Sequence, residues 1–141
     1  MTTQDYPLQN LPGLSTDHQT ALANLGFSTT TQLYHFGQSP SRQAALAQRL
    51  RLPLRYVKKW VILADLARVP TVGCEFNGLL LHAGIMSLEQ LAQTSAQTLA
   101  VQVKRLHVAT LRRNDLSPTP DQVKLWIKNA QALVAAQQRP K

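Results

Sequence analysis

The stretch Leu11-Pro12-Gly13-Leu14 returns 58 residues later as Val69-Pro70-Thr71-Val72. At that offset, and without a gap, Leu22 meets Leu80, Gly26 meets Gly84, Phe27 meets Ile85, Gln32 meets Gln90 and Leu33 meets Leu91. A second block, Val57-Lys58-Lys59-Trp60-Val61-Ile62-Leu63-Ala64, matches Val123-Lys124-Leu125-Trp126-Ile127-Lys128-Asn129-Ala130 at an offset of 66. Ordered blocks with matching Trp, Gly and Pro positions are the signature of an internal repeat. The reading is a tandem duplication: residues 11–68 form one unit and residues 69–137 a second. The eight extra residues fall near 112–118, and residues 1–10 and 138–141 are expected to be loose tails.

Outward from these blocks the punctuation is helical. Ser39-Pro40 and Thr119-Pro120 each set an N-cap residue before proline at the first helical position, where its missing N–H is not needed. Capping boxes are expected at Thr29…Gln32, Ser87…Gln90 and Thr119…Gln122, the hydroxyl accepting from the third helical N–H while the glutamine reaches back. Apolar spacing between these stops predicts an all-α chain of eight short helices: 16–25, 30–37, 40–51, 54–68, 74–83, 88–94, 96–113 and 120–137. Gly26 and Gly84 stand where a helix must stop, and a left-handed cap conformation explains glycine there. Each half is therefore a turn, a helix, a Gly-apolar stop and a second short helix, followed by a longer helical pair.

The run Leu11-Pro12-Gly13-Leu14…Ala21-Leu22…Leu25-Gly26-Phe27 resembles the helix-hairpin-helix pattern of DNA-binding and repair proteins. The whole order, with Val57, Trp60 and Ala64-Asp65-Leu66 before the second hairpin, resembles the family of domain of unknown function 4332, common in cyanobacteria, over about residues 8–135. That resemblance implies a helix-hairpin-helix-like fold and no assigned activity. DNA-binding hairpins of this kind carry apolar-Gly-apolar-Gly, which turns backbone N–H groups toward a phosphate. Here the first hairpin has Gly13 and Ser15, and the second has Thr71 and Gly73, with no Lys or Arg in either turn. Gly13 and Gly73 are accordingly expected to serve the turns themselves, with backbone phosphate contact at the hairpins as the alternative.

Charge lies elsewhere. Fifteen Lys and Arg against seven Asp and Glu give a net charge of +8, which points to a polyanionic partner. Residues 1–41 contain no Lys or Arg, whereas 42–68 hold Arg42, Arg49, Arg51, Arg55, Lys58, Lys59 and Arg68 against Asp65 alone. Residues 69–103 are again without a base, and the remaining eight fall between Lys104 and Lys141. Along the helix 54–68, Arg55, Lys58, Lys59 and Arg68 fall toward one side and Leu54, Val57, Val61 and Ala64 toward another. The candidate polyanion-binding residues are Arg51, Arg55, Lys58, Lys59, Lys104, Arg105, Arg112 and Arg113; the competing reading is a solvated face. Trp60 and Trp126 occupy apolar-stripe positions and are expected in the core, while Tyr56, beside Arg55, is a candidate stacking contact.

Catalytic signals are missing. His18, His35, His82 and His107 have no partner at metal-ligand spacing, and the single Cys74 excludes an internal disulfide and fits a small apolar role. There is no phosphate-binding glycine loop, nucleophile elbow or carboxylate pair. No cofactor, metal or small-molecule substrate is expected. With no apolar run of membrane length and no signal-like start at Met1–Asp5, a soluble cytoplasmic protein without a membrane role is expected. The function expected is a non-enzymatic module that binds nucleic acid through backbone phosphates with little sequence specificity. The alternative is an adaptor whose basic helices dock an acidic protein.

Overall fold

Capping residues and apolar spacing set where each helix begins and ends. A computed structural model describes residues 4–111 and 118–138, and these form an all-helical chain. A 3-10 turn at Leu8–Asn10 leads into α1 (Thr16–Asn24), α2 (Thr30–Phe36), α3 (Pro40–Leu50) and α4 (Leu54–Ala67). Then follow α5 (Gly73–His82), α6 (Leu88–Gln93), α7 (Ala96–Leu111) and α8 (Pro120–Gln138). From α1 to α6 every helix end lies within one residue of its expected position, as do the starts of α7 and α8, and the expected end of α7 at 113 lies outside the described residues. The extra residues expected near 112–118 fall, except for Pro118, outside the described residues.

The caps explain the agreement. Thr29 accepts from the Gln32 N–H at 3.3 Å while the Gln32 amide oxygen accepts from the Thr29 N–H at 3.2 Å. Thr119 and Gln122 do the same. At the third box only half the expectation holds. Ser87 accepts from the Gln90 N–H, but the Gln90 side chain takes the Met86 N–H and donates to the Gly84 carbonyl. Ser39 makes no cap bond, because its hydroxyl pairs with that of Ser41 at 2.7 Å. Gly26 and Gly84 have φ of +93° and +94°. After each, the next N–H returns to the carbonyl five residues back, Phe27 to Leu22 and Ile85 to Leu80, closing a Schellman stop.

Two apolar clusters form the interior. One gathers Leu11, Leu22, Leu33, Leu46, Val57 and Trp60; the other gathers Val69, Leu80, Leu91, Leu99, Val103, Val123 and Trp126. Both tryptophans are buried, 2% and 1% exposed. Helices α4 and α5 serve both clusters. Leu66 of α4 belongs to the second with Ile62 packed against it, and Cys74 and Leu81 of α5 pack on the first. Around this pair, α4 packs on α2 and α3, α7 packs on α5 and α8, and α6 lies on α8.

Three expectations need correction. The start of the chain is docked rather than loose over the described residues 4–10. Pro7 bridges to Thr29, the Gln4 N–H donates to the Arg68 carbonyl, and Leu8 is buried. Leu54, at the first turn of α4, stays 37% exposed instead of joining the apolar stripe. Arg68 leaves the basic face altogether. It closes α4 as a buried partner of Asp65, with its Nε 3.1 Å from Oδ1 and its guanidinium 3.8 Å above the Tyr34 ring.

Candidate nucleic-acid interface

On α4 the 3.6-residue period sorts side chains cleanly. Val57, Trp60, Val61 and Ala64 turn inward, while Arg55, Tyr56, Lys58 and Lys59 are exposed. Among the described residues none of these cations has a carboxylate within ion-pair distance; the pair formed there is Arg68–Asp65. Arg51 adds a further exposed cation just before the helix. It caps α3 in the left-handed region at φ +57°, where a base favours the negative helix end.

The fold then brings α4 against the first hairpin. Gly13 is exposed with φ +77°, and the Lys59 ammonium nitrogen lies 3.6 Å from where a Cβ on Gly13 would stand. Ser15 caps α1 by accepting from the His18 N–H at 3.2 Å. The His18 ring packs at 5.2 Å on Trp60 and lies 6.2 Å from Tyr56, whose ring is in turn covered on one side by the Arg55 guanidinium at 5.2 Å. Gly13, His18, Arg55, Tyr56 and Lys59 are thus one surface. The turn contains no base of its own, as expected, but a base from a residue 46 positions later completes it.

Lys58 turns aside from this surface. It lines a cleft of about 350 Å³ with Tyr34, Gln43, Ile62, Asp65 and Met86. At the floor of that cleft Asp65 accepts from Arg68 and, through its second oxygen, from the Leu88 N–H at 3.1 Å, tying α4 to the start of α6. Burial pushes the Asp65 carboxyl above its ordinary range against the opposing pull of Arg68 and of the Leu88 N–H.

Lys104 and Arg105 are exposed on α7, which packs on α5 and α8, with Arg105 beside His82 and Leu106 in a shallow cleft. Arg112 and Arg113 lie outside the described residues.

The second hairpin is built differently. Thr71 and Gly73 both have positive φ, +74° and +53°. The Thr71 carbonyl accepts from the Trp126 indole at 3.1 Å, and Asn129 donates to the Pro70 carbonyl at 2.9 Å. Gly73 is buried with the Tyr6 hydroxyl 2.6 Å from where its Cβ would be. Cys74 follows, half-buried, with burial pushing its thiol up to about 11, so the helix start does not activate it. Among the described residues no group of three or more His, Cys, Asp or Glu is placed to hold a metal ion, and no helix is long and apolar enough to cross a membrane.

Sequence reasoning missed His18. Its signal was present in the repeat: the offset of 58 sets His18 opposite Phe76, and Phe76 packs on Trp126 at 5.0 Å much as His18 packs on Trp60. The Lys59–Gly13 contact had no local signal. The model of a family described as a domain of unknown function, DUF4332, matches residues 12–133. No curated protein and no solved structure matches the chain.

Proposed function

The chain belongs to the DUF4332 family, and for this member we propose a non-enzymatic role in binding nucleic acid through backbone phosphates. The observation that carries the reading is the exposed face of α4. Arg55, Lys58 and Lys59 are unpaired by any carboxylate among the described residues, and Lys59 stands over the exposed Gly13 turn. Cations held in this way displace the counterions condensed on phosphates, which gives affinity that falls with salt and reads little sequence. Lys104 and Arg105 on α7 would add non-specific attraction from a separate patch. We infer no reaction: the Asp65 carboxylate in the cleft beside Lys58 is already engaged by Arg68 and a backbone N–H.

The test is binding of the whole chain to a short nucleic acid across a salt series. Reversing Arg55, Lys58 and Lys59 to Glu is expected to weaken binding strongly and to flatten its salt dependence, by about 0.9 in slope for each duplex phosphate no longer neutralised. Absence of binding at low salt would discard this reading and favour the adaptor that docks an acidic protein.

A further inference from the structure

We propose that the two hairpin faces have diverged, and that the first takes single-stranded nucleic acid with a base stacked on Tyr56. The inference rests on the phosphate-binding reading of α4 and names its substrate class.

The divergence can be followed position by position. The offset of 66 sets Arg55 opposite Asp121, Tyr56 opposite Gln122 and Lys59 opposite Leu125, so α8 repeats the apolar stripe of α4, and Lys58 as Lys124, but not these three outer residues. Gly13 corresponds to Thr71, and both adopt nearly the same left-handed φ, +77° and +74°. Both are exposed, and what differs is their neighbours: Lys59 stands over Gly13, whereas the Thr71 carbonyl accepts from the Trp126 indole and Tyr6 lies against the nearby Gly73. The ring packed on the buried tryptophan differs too, a histidine in the first half and a phenylalanine in the second. Among the described residues, the first face combines an exposed left-handed turn with unpaired cations and an outward aromatic ring.

Tyr56 decides the strand state. Its ring is 39% exposed on a convex helix, backed by Arg55 on one side and flanked by Lys59 three positions on. A duplex keeps its base faces inside the stack and offers such a ring nothing. A single strand offers a base face to the ring and phosphates to the cations at once, which is the arrangement of non-specific single-strand binders. An acidic protein surface would meet the same charges without using the ring.

The experiment compares, on the full chain, a short single-stranded oligonucleotide of mixed pyrimidines, a duplex of the same length and heparin as a polyanion without bases. Single strand is expected to bind about tenfold more tightly than duplex at the same salt. Tyr56→Ala should lose about tenfold on the single strand, with the salt slope, heparin binding and duplex binding unchanged, and Tyr56→Phe should restore it. Tyr56→Trp adds an exposed indole to two buried ones, and its emission should be quenched by the single strand and not by heparin. Equal affinity for single strand and duplex, or equal loss on heparin in Tyr56→Ala, would overturn this inference while leaving phosphate binding in place. No binding to any of the three probes at low salt would remove both.

Discussion

Gly26 and Gly73 are glycines for different reasons, and the difference can be measured. Nothing lies within 4 Å of a Cβ built on Gly26, so alanine there meets only the penalty of its φ of +93°. That is about 1 kcal/mol. Gly73 has φ +53° and also the Tyr6 hydroxyl in the way, at 2.6 Å. Gly73→Ala should therefore cost clearly more than Gly26→Ala in chemical denaturation. In a Tyr6→Ala background the excess should vanish, leaving a cost like that at Gly26; an excess that persists would locate the strain elsewhere. One residue on, Cys74 gives a second test. A thiol pushed up to about 11 by burial is thiolate in roughly one molecule in a thousand at pH 8, against about one in four for an ordinary thiol. The stronger nucleophilicity of a high-pKa thiolate returns part of that factor. Exchange with an aromatic disulfide at pH 8 should be about tenfold slower in the folded chain than in the denatured one, and should keep rising toward pH 11. A plateau near pH 9 in the folded chain would contradict the burial.

At the scale of elements, helix ends were legible because their signals are local: Thr29 and Gln32 are three residues apart, and each makes the bond its position calls for. What a helix face meets was not legible in the same way. Arg68 reads as one more base on a basic helix, and its spacing from Asp65 permits a pair, but only the packing of α6 and Tyr34 around it makes that pair buried. Residues 4–8 read as part of a loose tail, yet their backbone pairs with Ser28–Thr30, a contact no periodicity encodes. Asp5 shows the consequence at the start of α2, where its carboxylate accepts from the Thr31 N–H at 3.1 Å. Burial raises its pKa, but the Thr31 N–H and the threonine hydroxyls outweigh this and hold it below the ordinary value. A depressed carboxylate stabilises the fold above its unfolded pKa, and the contribution is lost as pH falls through the folded value. Asp5→Ala should then cost a few tenths of a kcal/mol at pH 7, solvent screening included, and nearly nothing at pH 2.5. A difference independent of pH would remove the carboxylate from this role.

At the scale of the molecule, the question is whether the repeat folds as one unit or two. Each apolar cluster holds one tryptophan, Trp60 or Trp126, but the clusters share helices, since Leu66 of α4 lies in the second and Leu81 of α5 packs on the first. The seam between them contains the Asp65–Arg68 pair, whose Asp65 also accepts from Leu88 at the head of α6. Shared helices couple the clusters, so unfolding one strips apolar cover from the other. Trp60→Phe and Trp126→Phe each leave a single indole reporting on one cluster, and their denaturation midpoints, referred to each variant's own far-UV signal, should coincide. Separated transitions would mean two independent units joined by a linker. Asp65→Ala probes the seam itself. It leaves Arg68 buried without its carboxylate and should cost about 3–5 kcal/mol, whereas an apolar pair of similar volume, Asp65→Leu with Arg68→Met, should recover most of that loss. The Leu88 N–H goes unpaired in both variants, so the recovery isolates the buried charge. If coupling runs through the seam, Asp65→Ala should lower both tryptophan transitions together. A shift confined to the Trp126 signal would mean that α6 alone depends on Asp65, and that the shared apolar faces of α4 and α5 hold the halves together without it.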